Sequence, residues 1–194
     1  MAFKPRKPPR PPAEPTEAAL RDAAVTYLSR YGATQASVVR VLDGRIARWV
    51  RATGDADGKA PAAKAAARAI VASLAATGAV DDTAFAASRA RSLQRAGKSG
   101  RAIGAHLAAK GVAAEVAHDA LPENADHELA AAVIHARKRR LGPFRTKGVD
   151  SPELRRRELG NMARAGFAHG VARQALGLSP DEAEALIVQF RAEL

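Results

Sequence analysis

Cysteine is absent from the 194 residues, which excludes disulfides, thiolate metal sites and thiol nucleophiles together. Aromatic side chains are few, five Phe, two Tyr and one Trp. That scarcity disfavours a sequence-reading RNA module or a single-strand stacking platform. Residues that favour strands, β-branched and aromatic, are sparse, so a sheet would lack its usual side chains. No apolar run approaches the roughly 18 residues of a membrane span. The N-terminus sets Lys4, Arg6, Lys7 and Arg10 among prolines with no apolar segment behind them, unlike a secretory leader. A soluble, cytoplasmic protein with no membrane partner is expected.

Alanine is abundant, at 48 residues, and it has the best intrinsic helix propensity. The expected class is all-α. Residues 1–16 are basic and Pro-rich with little to bury, and read as a disordered arm. From Glu17 the chain reads as helix after helix, at about 17–31, 34–49, 62–77, 82–96, 99–110, 113–121, 124–141, 152–165, 168–176 and 180–193. Gly32, Gly78, Gly97, Gly111, Gly142, Gly166 and Gly177 mark expected left-handed ends. In the first helix Leu20, Ala24, Tyr27, Leu28 and Tyr31 fall on one stripe. Ser151-Pro152 sets a capping hydroxyl before a proline at the first helical position. Ser179 with Glu182 forms a capping box.

The chain also repeats itself. Gly111-Val112, Val116 and Leu121 match Gly166-Phe167, Val171 and Leu176 at an offset of 55 residues, with Leu107 falling on Met162. A weaker copy aligns Thr34, Val38 and Leu42 with Ser99, Ile103 and Leu107 at an offset of 65. The reading is of tandem three-helix units at 17–79, 80–122 and 123–178, with an additional helix at 179–194.

Lys+Arg is 31 against Asp+Glu 20, a net charge of +11, which favours a polyanionic partner. From Thr83 to Ala114 there is no Asp or Glu, while Arg89, Arg91, Arg95, Lys98, Arg101 and Lys110 give that stretch +6. Arg91, Arg95 and Lys98 fall together on one side, where like charges repel and an isolated protein gains nothing. A charge row is ordinarily a solvated face; the missing acids turn this one toward a polyanion. Arg89 lies within the apolar stripe, as a snorkelling stem or at a site between two units. A second concentration holds Arg137, Lys138, Arg139, Arg140, Arg145, Lys147, Arg155, Arg156 and Arg157 against Asp150 and Glu153. Glu153 and Arg157 are spaced to pair. Arg137, Lys138, Arg139, Arg140, Arg156, Arg157 and Arg164 join the candidate binding residues. Arg outnumbers Lys 23 to 8, suited to phosphate and carboxylate, although GC-rich codon usage gives the same excess.

Catalytic and metal motifs fail one by one. Gly97-Lys98-Ser99 resembles the end of a P-loop, but Ser92 stands where its first glycine belongs; Ser99 reads instead as a helix cap. Asp55-Ala56-Asp57-Gly58 opens like a calcium loop, yet Ala66 occupies the bidentate glutamate's place. The histidines show no ligand spacing, and Asp81-Asp82 are explained by a helix start. No nucleophile–base set or nucleotide loop can be singled out. Neither enzyme, metal nor cofactor is expected.

Val80-Asp81-Asp82-Thr83-Ala84-Phe85-Ala86, Arg91, Gly97-Lys98-Ser99-Gly100-Arg101-Ala102-Ile103 and Leu107-Ala108-Ala109-Lys110-Gly111-Val112 resemble the central signature of the RecX regulators of the bacterial recombinase RecA. Arg164-Ala165-Gly166-Phe167 resembles its counterpart in the third unit. The resemblance covers about 17–176 and is densest from 80 to 121. It implies tandem three-helix units in an elongated, curved array, lying in the groove of the RecA filament on single-stranded DNA. It also implies inhibition of ATP hydrolysis, strand exchange and repressor cleavage. Three features depart from the pattern: Arg89 stands at a usual aromatic, Ala165 at a usual basic residue, and the last helix runs past the usual end. The expectation is a monomeric modulator that meets RecA, single- or double-stranded DNA, or both; the alternative is a helix-turn-helix DNA-binding regulator.

Overall fold

The computed structural model describes residues 12–55, 57–121, 124–146 and 151–193. The expected arm falls mostly outside them, but its end is held: Pro15 is buried, Glu14 pairs with Lys59 at 3.0 Å, and the Thr16 hydroxyl accepts from the Ala19 amide. All regular structure among the described residues is helical, and the chain is all-α. Two compact units divide it, one ending at Asp81 and the other beginning at Asp82.

The first unit contains α1 (Glu17–Leu28), α2 (Gln35–Thr53) and α3 (Ala60–Ala76). Leu20, Ala24, Val38, Leu42, Ile46, Ala67 and Ile70 form its buried centre. α1 stops at Leu28, three residues short of the expected end; Ser29 is its C-cap, the amide donating to the Val25 carbonyl and the hydroxyl to the Thr26 carbonyl. Tyr31 therefore lies beyond the helix and is 58% exposed instead of packed. The 55–60 loop is held by Asp55, whose carboxylate accepts from the amides of Lys59 and Ala60.

The second unit contains α4 (Asp82–Arg95), α5 (Gly100–Lys110), α6 (Ala114–Asp119), α7 (Ala125–Arg139), a 3-10 turn (Gly142–Phe144), α8 (Pro152–Arg164), α9 (His169–Gly177) and α10 (Pro180–Glu193). Ala86, Ala90, Ile103 and Leu107 centre one apolar cluster. Another gathers Val133, Ile134, Met162, Phe167, Ile187 and Phe190. α7 is buried nearly all round through Ala130–Ile134, as a central helix must be. Its small side chains allow close approach. A Cβ on Gly97, whose φ is +75°, would lie 2.7 Å from Ile134 Cγ2 and 2.9 Å from the His135 backbone nitrogen.

The repeat is visible bond by bond. The Gly111 amide donates to Ala108 and the Val112 amide to Leu107, at 2.9 and 3.1 Å; Gly166 to Ala163 and Phe167 to Met162 repeat both lengths. Thr34 and Ser99, matched at the other offset, are both fully buried and both cap their helices through the hydroxyl. Ser151 and the Ser179–Glu182 box cap α8 and α10 as expected. Some expected ends differ. Gly32 and Gly177 are absent from the positive-φ residues, and the left-handed cap of α7 is Arg140, at φ +55°.

Candidate partner-binding surface

The acid-free stretch folds into α4, the turn after it, α5 and the turn before α6. Arg91, Arg95 and Lys98 stand at i, i+4 and i+7 along α4 and its exit turn, all exposed. No ion pair reaches Arg91, Lys98 or Arg101 among the described residues. The exit turn is locally fixed. Ser99 caps α5, accepting from the Ala102 amide at 3.2 Å, and donates its hydroxyl to the Ala165 carbonyl at 2.7 Å. The Gly100 amide donates to Glu128 at 3.0 Å. Burial raises the Glu128 pKa, with that amide opposing.

Arg89 is exposed, with Nε donating to His106 Nε2 across to α5 at 3.1 Å. That bond requires a neutral ring, and burial, then Arg89 and Lys110, lower the His106 pKa. Of the two readings of Arg89, the outward stem is the observed one. Lys110 is exposed in the last turn of α5.

The second group separates by helix phase. Arg137 is half-buried and pairs with Glu184 of α10 at 3.0 Å, and Lys138 donates to the Ala96 carbonyl at 2.8 Å. These two candidates are thus engaged inside the unit. Arg139 and Arg140 point out, and Arg140, Arg156, Arg157 and Arg164 meet around one open depression of about 430 Å³. Its carboxylate, Glu158, is 4% exposed and held by Arg145 through bonds of 3.0 and 2.8 Å. The depression is therefore strongly positive and suited to phosphate or carboxylate. Arg145, counted in the sequence but not chosen as a site residue, sets that balance. The expected Glu153–Arg157 pair does not form; Glu153 turns back on its own helix start, where a bond from its own backbone amide and then one from the Ser151 hydroxyl lower its pKa.

Among the described residues no three His, Asp or Glu side chains gather as metal ligands, and no helix is long and apolar enough to cross a membrane. What the fold and surface define is an all-helical protein of capped short helices, presenting basic faces on which Arg91, Lys98 and Arg101 have no ion pair among the described residues. Residues 81–121 match the family model described as RecX, second three-helix domain. The chain is 42% identical over 164 residues to the "Regulatory protein RecX" of Myxococcus xanthus, covering 83% of this chain and 86% of that protein. It is 44% identical over 110 residues to the "Regulatory protein RecX" of Agrobacterium fabrum, covering 56% of this chain and 58% of that protein. The chain belongs to the RecX family of regulatory proteins.

Proposed function

We propose that this protein is a non-enzymatic, monomeric, cytoplasmic modulator of the RecA recombinase, binding the RecA filament on single-stranded DNA and suppressing its ATP hydrolysis, strand exchange and coprotease activity. Three triple-helix modules, at 17–79, 80–122 and 123–178, would present the contacts. The observation that carries the reading is the segment 83–114, which has six cations and no acid, and in which no ion pair reaches Arg91, Lys98 or Arg101 among the described residues. Membership of a regulatory family supports it.

Such a ligand acts by differential affinity. Binding across neighbouring protomers stabilises the filament state it fits and disfavours the states that alternate during turnover. ATP hydrolysis by RecA on single-stranded DNA, with this protein added at a stoichiometric ratio, is expected to fall; an unchanged rate refutes the proposal. Arg91→Glu, Arg95→Glu and Lys98→Glu together should relieve the inhibition. If they do not, the face has been misassigned.

The arginine depression beside α8 favours a second reading, direct duplex binding. About six phosphate contacts would give a log–log salt slope near −5. Tight binding to one duplex sequence without RecA, above non-specific affinity, would favour it over the first.

A further inference from the structure

A groove of about 430 Å³ lies between α1 and α2 in the first unit. Arg45 and Arg48 line it from α2, one helical turn apart, Arg48 with its Nε donating to the Gly44 carbonyl at 3.3 Å, and Arg30 and Tyr31 line it from the turn after α1. Asp22 also borders it, yet no ion pair joins Asp22 to these arginines among the described residues. Tyr31 is 58% exposed. It is nonetheless placed: its amide donates to the Tyr27 carbonyl at 3.1 Å, and the two rings lie 5.2 Å apart at 43°. Tyr27 in turn packs on the apolar core. An aromatic face is thus held to solvent beside three cations, where an ordinary surface would place a polar side chain.

From this juxtaposition we propose that the groove binds single-stranded DNA, one base stacking on Tyr31 and the adjoining phosphates meeting Arg30, Arg45 and Arg48. Every base offers a π-face and every strand a charged backbone, so this chemistry needs no particular sequence. A duplex is excluded from this mode because its base faces are already covered by their neighbours. The scarcity of aromatics along the chain is no obstacle, since a single well-placed ring serves a single base. The site is independent of the RecA reading, and its test contains no recombinase.

Fluorescence anisotropy of the full chain with labelled oligo-dT, and with an abasic strand of equal length, separates stacking from charge. Tyr31→Ala is expected to weaken oligo-dT binding by about 5- to 150-fold, the range of one stacked base, and to leave the abasic strand unchanged. Tyr31→Phe should bind oligo-dT as the unaltered chain does. Arg45→Glu with Arg48→Glu should weaken both strands. Equal effects of Tyr31→Ala on the two strands, or none on either, overturn the proposal. Photocrosslinking of a bromodeoxyuridine strand to the unaltered protein is a second measurement that needs no variant. An adduct on Tyr31 supports the site, and adducts confined to residues 82–193 overturn it.

Discussion

Glu158 permits a prediction whose size follows from its surroundings. The carboxylate is nearly buried, receives both Arg145 bonds, and accepts a third from the Gly142 amide at 3.2 Å. Arg145→Met strands that charge with one neutral donor, and removing one partner of a buried pair costs about 3–5 kcal/mol. The lower end applies, because the Arg145 side chain is 19% exposed and water enters where it leaves. Glu158→Leu is milder, about 1–2 kcal/mol, since the arginine can swing into solvent and the chief loss is the unpaired Gly142 amide. Methionine and leucine together restore an apolar contact, so the double variant should lie within about 1 kcal/mol of the unaltered protein. The coupling is then about 3–5 kcal/mol. With a urea slope near 2 kcal/mol/M, Arg145→Met should lower the midpoint by about 1.5 M. Far-UV circular dichroism is the suitable readout, because Trp49, Tyr27 and Tyr31 all lie in the first unit and intrinsic fluorescence reports only there. Losses that add, with no recovery in the double variant, would show that the pair does not hold α8 to the 3-10 turn.

Gly97→Ala should cost about 2–4 kcal/mol in the same assay, because the left-handed backbone costs about 1 kcal/mol and contact with α7 adds the rest. Gly78→Ala, at φ +72° with nothing within 4 Å, should lose only the backbone part; equal losses would refute the close approach. Gln94 is 2% exposed and its side-chain nitrogen has no hydrogen-bond partner, so Gln94→Met should stabilise by about 1 kcal/mol, and a destabilised variant would reveal a bond to that amide. The His135 pKa is lowered, chiefly by burial and also by Arg139, Lys98 and Lys138, against an opposing bond to Asn161. The unfolded ring then holds more protons between its ordinary value near 6.5 and the lower folded value. The His135 contribution is thus complete above pH about 6.5 and lost as pH falls through that window. Calorimetric melting temperatures should drop less on acidification in His135→Gln than in the unaltered protein, and identical pH profiles would exclude the effect.

The helices were legible because their causes are local. Ser99, Ser151, Thr34 and the Ser179–Glu182 box act within three residues of themselves, and a 3.6-residue apolar period needs no tertiary knowledge. The 55-residue match was legible for the same reason, since Gly111 and Gly166 each close a helix with local backbone bonds. Charge fate was not. Arg137, Lys138, Arg139 and Arg140 are consecutive, and helix phase sends the first to Glu184, the second to the Ala96 carbonyl and the last to an open depression. Those partners lie 47 and 42 residues away in sequence for the first two, and nothing in the run itself distinguishes one arginine from the next. Tyr31 was misread because a stripe continues on paper beyond the place where Ser29 ends the helix.

The same division of charges bears on how such a protein works. A cation bonded internally, like Arg137 or Lys138, has already exchanged its hydration for a protein partner, and recruiting it to a ligand would break that contact. Arg91, Lys98 and Arg101 have made no ion pair among the described residues, and they belong to one stretch of sequence without acids, in which like charges a helical turn apart repel. A polyanion placed over them removes that repulsion as it adds its own attraction, so its gain should be largest at low ionic strength and shrink as salt screens both effects. The arginines that repel one another in the isolated protein are therefore the better candidates for contact, and the size of a basic cluster in sequence is a poorer guide than the number of its members left without acids.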